Sequence, residues 1–429
     1  MTQTQPLALR ARPAFPSLTR PGSPVYLDNP GGTQVPQQVV DAISEYLLFS
    51  NANTHGAFST SERTDRVIEA AHSAAADLLG AEPDEVAFGP NMTTLTFSLS
   101  RSLGREMRAG DEILVTRLDH DANIAPWLLL AEDKGLTVRW ADIRAEDCTL
   151  DLDSFESALN DRTRVAAFTY ASNAVGTIND VQRLTRMAHD AGAMVFIDAV
   201  QYAPHGPIDM RALDCDFLAC SPYKFFGPHA GILYARKDHS ERLQAYKVRP
   251  ADDAPPFKWE TGTQSHEAMA GTTAAIEYLA SLAPLQNGSR RERIVAAMEA
   301  IREYELELSH SLLEGLRELP VRVYGITDSD RLKERVPTFA VTAEGVSPRQ
   351  LAEQLGRQGY NLWDGNYYAL ALMERLGLED TGGALRIGMA HYNTPQEISR
   401  FLADLGAVFH RDPTPVGVEE ELAEHTSQG

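Results

Sequence analysis

The stretch Asp216-Phe-Leu-Ala-Cys-Ser-Pro-Tyr-Lys-Phe-Phe-Gly-Pro-His-Ala-Gly-Ile-Leu-Tyr-Ala235 decides the reading of this chain. Two apolar runs, DFLAC (216–220) and GILYA (231–235), have the length and composition of buried strands. Between them Lys224 sits in a Ser-Pro-Tyr-Lys turn. A lysine in a turn is ordinarily a solvated charge. Here Phe225, Phe226 and Gly227 follow at once, which makes its surroundings apolar. Desolvation lowers a lysine's pKa and turns the amine into a nucleophile able to form a Schiff base. Ser221 and Tyr223 add hydroxyls that suit phosphate oxygens.

Working outward, the same pattern repeats. Further strands are predicted at 85–89, 112–116, 136–140, 164–170 and 193–199, with helices at 62–79, 94–108, 122–134 and 183–191. Strands alternating with helices imply an α/β domain whose sheet of seven strands is mostly parallel and covered on both faces. In such sheets ligands sit beyond the carboxyl ends of the strands. Asp198 ends VFIDAV and Gln201 follows it; a buried aspartate needs a cation or donor, although capping the next helix is the plainer reading. FGPNMTT (88–94) is a strand end, a turn and a helix start, which makes an anion site, or simply a cap formed by Asn91 or Thr93. RLDHDANIAPW (117–127) crowds His120, Asp121 and Asn123 at another strand-to-helix junction, where His120 could stack on a flat ring or act as acid or base. There is no GxGxxG, no GxxxxGK[ST] and no HExxH, so neither a dinucleotide, an NTP nor a metal is suggested. A phosphate turn, a ring-side histidine, a buried acid and a Schiff-base lysine together are what pyridoxal 5'-phosphate requires of a protein.

After Pro284 the pattern changes. A long helix (289–318) leads into shorter strands (VRVYG, TFAVT, LRIGMA) and helices at 348–358 and 395–408. The expected organisation is an extended, proline-rich N-terminal arm (1–25), a large cofactor domain (26–283), a smaller α+β domain (284–412) and a disordered acidic tail (413–429). The 429 residues carry 39 Lys+Arg against 60 Asp+Glu, a net charge of −21. That acidity argues against nucleic acid and anionic membranes as partners. Three cysteines, Cys148, Cys215 and Cys220, are too few for a disulfide framework and suit a reducing, cytoplasmic setting.

The order and wording of LDHDANIAPW, ASNAVGT, FIDAVQ, CSPYKFFGP, ETGT and LRIGMAHYNT resemble one family, from about residue 26 to 402. The chain resembles the class V aminotransferases among the fold-type I pyridoxal-phosphate transferases, and within them the cysteine desulfurase-like proteins. The resemblance implies that Lys224 carries the cofactor and that Asp198 pairs with its ring nitrogen. It implies Gln201 on the ring oxygen, His120 on the ring face as a catalytic group, and Met92, Thr93, Ser221 and Tyr223 around the phosphate. Tyr223 stands where the family usually has His. Thr263 would reach the phosphate of a neighbouring subunit, which implies a homodimer with shared sites. Asn173 and Arg386 would hold the carboxylate of a small amino-acid substrate, with His55, Trp363 and Tyr368 also on the substrate side. One departure matters most. The family's nucleophilic Cys belongs on the loop LWDGNYYALALM (362–373), and Tyr368 stands in its place. The expected function is therefore chemistry at Cα, either transamination or C–S cleavage without a persulfide. An epimerase-like enzyme and a non-catalytic binding module of the same fold remain as alternatives.

Overall fold

The computed structural model describes residues 6–285 and 287–409. Its large sheet has seven strands, Val86–Gly89, Glu112–Thr116, Thr137–Ala141, Thr163–Thr169, Met194–Asp198, Phe217–Cys220 and Gly231–Ala235. In space they run 86–89, 231–235, 217–220, 194–198, 163–169, 112–116, 137–141. All point the same way except 231–235, which is antiparallel to both neighbours. That strand follows its neighbour through the short Ser-Pro-Tyr-Lys connection, too short to carry a crossover helix, so it must return antiparallel.

Successive residues of the central strands enter two separate cores. Val165, Ala167, Phe196 and Ala219 pack with Leu95, Leu99, Leu103, Trp127 and Leu130 of helices Met92–Gly104 and Ala125–Lys134. Ala166, Phe168, Val195, Ile197 and Leu218 face the other way, onto helices Ser59–Leu79, Val181–Asp190 and His266–Ser281. The two-residue period of a strand, with both faces covered, produces this division. Helix His266–Ser281 is missing from the sequence expectations. Its buried positions (Ala268, Met269, Gly271, Thr272, Ala275, Ile276, Tyr278, Leu279, Ala280) take up more than half of its circumference, and Ala270, Thr273 and Ala274 make up much of the rest, so no sharp amphipathic stripe announces it.

A second sheet of four antiparallel strands follows, in the order Val321–Tyr324, Thr338–Ala343, Ala384–Gly388, Trp363–Gly365. The long helix Arg290–Arg317 leads to it and opens on a capping box between Ser289 and Glu292. Residue 284 falls in the turn between this helix and His266–Ser281.

The N-terminal segment corrects one expectation. From residue 6 on it is not an extended arm: Leu7–Ala11 and Pro16–Thr19 are short helices joined by the turn Arg12–Ala14. Pro13 and Pro16 occupy first-turn positions, where a missing N–H costs nothing, rather than breaking the helices. Phe15 is fully buried, with ring centroids 5.3 Å from Tyr278 and 4.8 Å from Tyr392. Arg12 pairs with Glu397 at 2.8 Å. Val25–Tyr26 then pairs in parallel with Tyr360–Asn361, so the segment ends against the C-terminal half. The acidic tail expected at 413–429 lies outside the described residues.

Candidate active site

Five strands of the large sheet end on one edge, and the residue sets read from the sequence follow those ends. Asn91-Met92-Thr93 follow 86–89, Asp119-His120 follow 112–116, and Asn173 follows 163–169. Asp198 closes 194–198, and Ser221 to Lys224 follow 217–220. An inner cavity of about 70 Å³ is lined by Met92, Thr93, His120, Asn173, Asp198, Gln201, Ser221, Tyr223 and Lys224, among others. An outer cavity of about 580 Å³ shares His120 and Lys224 with it and adds Asp28, Trp363, Tyr367, Tyr368 and Arg386.

Lys224 is buried in a single 3₁₀ turn, Pro222–Lys224. Its Nζ donates to the Pro30 carbonyl. Burial, and then the Arg386 charge, lower its pKa to about 7, against the opposing pull of Asp28 and Asp198. Burial raises Asp198 to about 6, although the Val200 N–H, 2.9 Å from Oδ1, and the Lys224 charge hold it down. His120 is lowered to about 4, by burial first and then by Lys224 and Arg386. Its Nδ1 accepts from the Ala122 N–H at 3.0 Å, so the neutral ring carries its proton on Nε2. Gln201 donates through Nε2 to Thr338 Oγ1 at 3.1 Å, which leaves its other amide atom buried without a partner. The two amide ends exchange by a half-turn, so this side chain has a hydrogen bond to offer the cavity.

The helix Met92–Gly104 points its N-terminus at the inner cavity. Asn91 caps it by accepting from Thr94 N–H at 2.8 Å, and Met92 N–H reaches Ser221 Oγ at 3.3 Å. The hydroxyls of Thr93 and Ser221 therefore stand at the positive end of a helix dipole.

On the substrate side, Arg386 is buried and half-committed. Its Nη2 donates to Asp28 Oδ1 at 2.9 Å and its Nη1 to the Asn173 carbonyl at 3.1 Å, while Nε has no hydrogen-bond partner among the described residues. Its guanidinium lies 4.6 Å from the Tyr367 ring centroid. Asn173 donates to the Tyr367 carbonyl at 2.9 Å, and its Oδ1 is left over. Tyr368 stacks on His120, with centroids 5.5 Å apart and planes 24° apart. Tyr368 thus stands at the mouth of the cavity. All three cysteines are buried. Burial raises the thiol of Cys148 to about 11 and pushes those of Cys215 and Cys220 up as well.

Two expected residues do not join the cavity of their own chain. His55 is exposed beside Asp65, and Thr263 is exposed on the loop before helix His266–Ser281. Two others were missed. Asp28 neutralises Arg386 from a segment far away in sequence, with no local pattern to mark it. Asp119 is fully buried, accepts from the Thr116 hydroxyl and from Asn123 Nδ2 at 2.7 Å, and is raised by burial to about 8. It fastens the 3₁₀ turn Asp121–Asn123 that carries His120. Its signal was the Asp-His pair itself, read only for the histidine.

These residues fit pyridoxal phosphate: a buried lysine of lowered pKa, a buried aspartate with spare acceptor capacity, an unpartnered glutamine amide atom and a helix terminus with hydroxyls. The comparisons with known proteins agree. The family model "Aminotransferase class-V" matches residues 25–401. The aminotransferase-like protein FGM3 of Gibberella zeae is 32% identical over 92% of this chain and 97% of its own length. A protein of Synechocystis sp. named "Probable cysteine desulfurase" is 30% identical over 94% of this chain and 96% of its own. The apo structure of a cysteine desulfurase from Thermococcus onnurineus NA1 superposes with a TM-score of 0.85 at 27% identity, covering 95% of this chain and 99% of that one. The chain belongs to the class V aminotransferase family, as a cysteine desulfurase-like, pyridoxal-phosphate-dependent transferase or lyase.

Proposed function

We propose that this enzyme removes the proton from Cα of a bound amino acid and then transfers the amino group or cleaves a C–S bond, without a persulfide on the protein. The observation that carries the reading is Tyr368. It stacks on His120 at the cavity mouth, while all three thiols are buried and held in the protonated form. A desulfurase of the persulfide type needs an accessible thiolate near the substrate.

When bound, pyridoxal phosphate supplies a ring that takes up the electron pair left at Cα. The chain's residues do the rest. Lys224, the amine that would hold the cofactor, is when free a base with a pKa near neutrality and would receive the Cα proton on Nζ. Arg386 meets the substrate carboxylate with the edge that Asp28 and Asn173 leave free. Asp198 would hold a proton on the ring nitrogen, and neutral His120, whose proton sits on Nε2, would lie against the ring. The enzyme works as a homodimer in the cytoplasm, with Thr263 and His55 serving the neighbouring subunit's site; their exposure outside their own cavity supports that assignment.

The test is turnover of a panel of amino acids by protein loaded with cofactor. Pyruvate, alanine, sulfide and keto-acid formation are followed, with Lys224→Ala as the control. Product formation lost in Lys224→Ala is expected. Sulfide with alanine from cysteine, accompanied by a protein-bound persulfide, would reject the reading, and so would turnover that survives Lys224→Ala.

A further inference from the structure

The loop from Trp363 to Tyr368 lies where two hollows meet. The outer active-site cavity runs from Lys224 and Arg386 out to Trp363 and Tyr368. An open recess of about 310 Å³ begins at the same two rings and continues past Asp364 and Glu379. Trp363 is 55% exposed and Tyr368 71% exposed, which leaves two large rings bare at one entrance. The loop is nonetheless fixed. Tyr367 and Tyr368 are both held at positive φ, +56° and +58°, a costly backbone for side chains of this size. The Tyr367 hydroxyl donates to the Ala384 carbonyl, Tyr368 N–H donates to Asn366 Oδ1 at 3.0 Å, and Asn366 Nδ2 donates to Glu379 at 3.0 Å. Strain maintained this way is typical of ligand clamps.

The charges that line the recess are acidic, and the cations of the outer cavity, Lys224 and Arg386, lie at its deep end. Asp121 lines the outer cavity, and Asp364 and Glu379 line the recess. Among the described residues, no lysine or arginine lines the recess. Arg349 approaches Asp364 only to 3.6 Å, and this exposed side chain is bound more closely to Glu353, at 2.8 Å. Glu379 is met by the Asn366 amide, which brings no charge. Deeper in, Arg386 is already paired with Asp28. An anionic substrate side chain would be repelled here. An apolar one would cover the rings but shield the Asp364 carboxylate from water with only the Arg349 guanidinium, 3.6 Å away, to balance it. A cation satisfies both, through the ring faces and the carboxylate.

We infer that the substrate is an amino acid whose side chain ends in a cation, lysine-like or arginine-like, received between Trp363 and Tyr368 with Asp364 facing its charge. This rests on the proposed chemistry at Cα and extends it past the small amino acid that the family resemblance suggests. The test is calorimetric titration of the cofactor-loaded full chain with L-lysine, L-arginine, L-norleucine and L-2-aminoadipate, with kcat/KM measured alongside. Norleucine matches lysine without its charge, and 2-aminoadipate reverses the charge. Lysine or arginine is expected to bind about tenfold more tightly than norleucine, and 2-aminoadipate more weakly than both. Asp364→Asn should cut the preference for lysine over norleucine several-fold, and Trp363→Ala should weaken the cationic ligands most. Norleucine or 2-aminoadipate binding as tightly as lysine overturns the inference, as does an unchanged preference in Asp364→Asn. If no amino acid of any charge binds, and Lys224→Ala titrates like the wild type, the chemistry at Cα itself falls.

Discussion

Lys224 should make the cofactor-free protein less stable, by an amount that depends on pH. The folded chain lowers its pKa from 10.5 to about 7, burial being the leading cause. The unfolded chain keeps its proton up to about pH 10.5, so between pH 7 and 10.5 the unfolded state binds more protons. Stability must then rise with pH across that window. At about 1.4 kcal/mol for each tenfold change in proton affinity, the lysine costs roughly 4 kcal/mol at pH 7 and roughly 2 kcal/mol at pH 9. Lys224→Met keeps the length of the side chain and removes the charge. It also orphans the Pro30 carbonyl that Nζ now satisfies, at a cost of about 1–3 kcal/mol. The variant should therefore gain about 1–3 kcal/mol at pH 7, an advantage that shrinks by roughly 2 kcal/mol by pH 9.

Urea unfolding of both cofactor-free proteins at pH 7, 8 and 9 measures this. Asp119 is raised to about 8, so in both proteins it contributes stability that is lost as pH rises through that value. Taking the difference between the two curves removes it. A difference that stays constant from pH 7 to 9, with the wild type the more stable throughout, would show that the ammonium is not desolvated. The assignment of Lys224 as a base near neutrality would then fail with it.

Two other outcomes follow from packing. Phe15→Ala should lower stability by about 3–5 kcal/mol in thermal or urea unfolding, because the ring is fully buried against Tyr278 and Tyr392; a negligible change would restore the reading of the segment as a loose arm. A thiol reagent at pH 8 should label none of Cys148, Cys215 and Cys220 in the native protein within minutes and all three after denaturation; fast labelling of Cys220 would reopen a thiolate route.

What the sequence made legible was whatever depends on chain neighbours. Asp198, Gln201 and Lys224 each close or follow a strand whose apolar run is unmistakable, and parallel strands bring their ends to one edge whatever the loops do. Relations across the fold were not legible. The prolines near the N-terminus suggested extension because their helical role depends on a core formed by Tyr278 and Tyr392. Arg386 is the sharper case. The family resemblance assigned it to the substrate carboxylate, as though the guanidinium waited free. A free guanidinium at this depth would be a buried charge without a partner, several kilocalories per mole uphill. Asp28 removes that penalty at 2.9 Å, from a segment that pairs Tyr26 with Asn361 and so rides on the same part of the fold as Arg386. Substrate binding is therefore a sharing of the guanidinium between two carboxylates, not the filling of a vacancy. The unpartnered Nε and the Asn173 Oδ1 are the hydrogen-bonding capacity left for the newcomer.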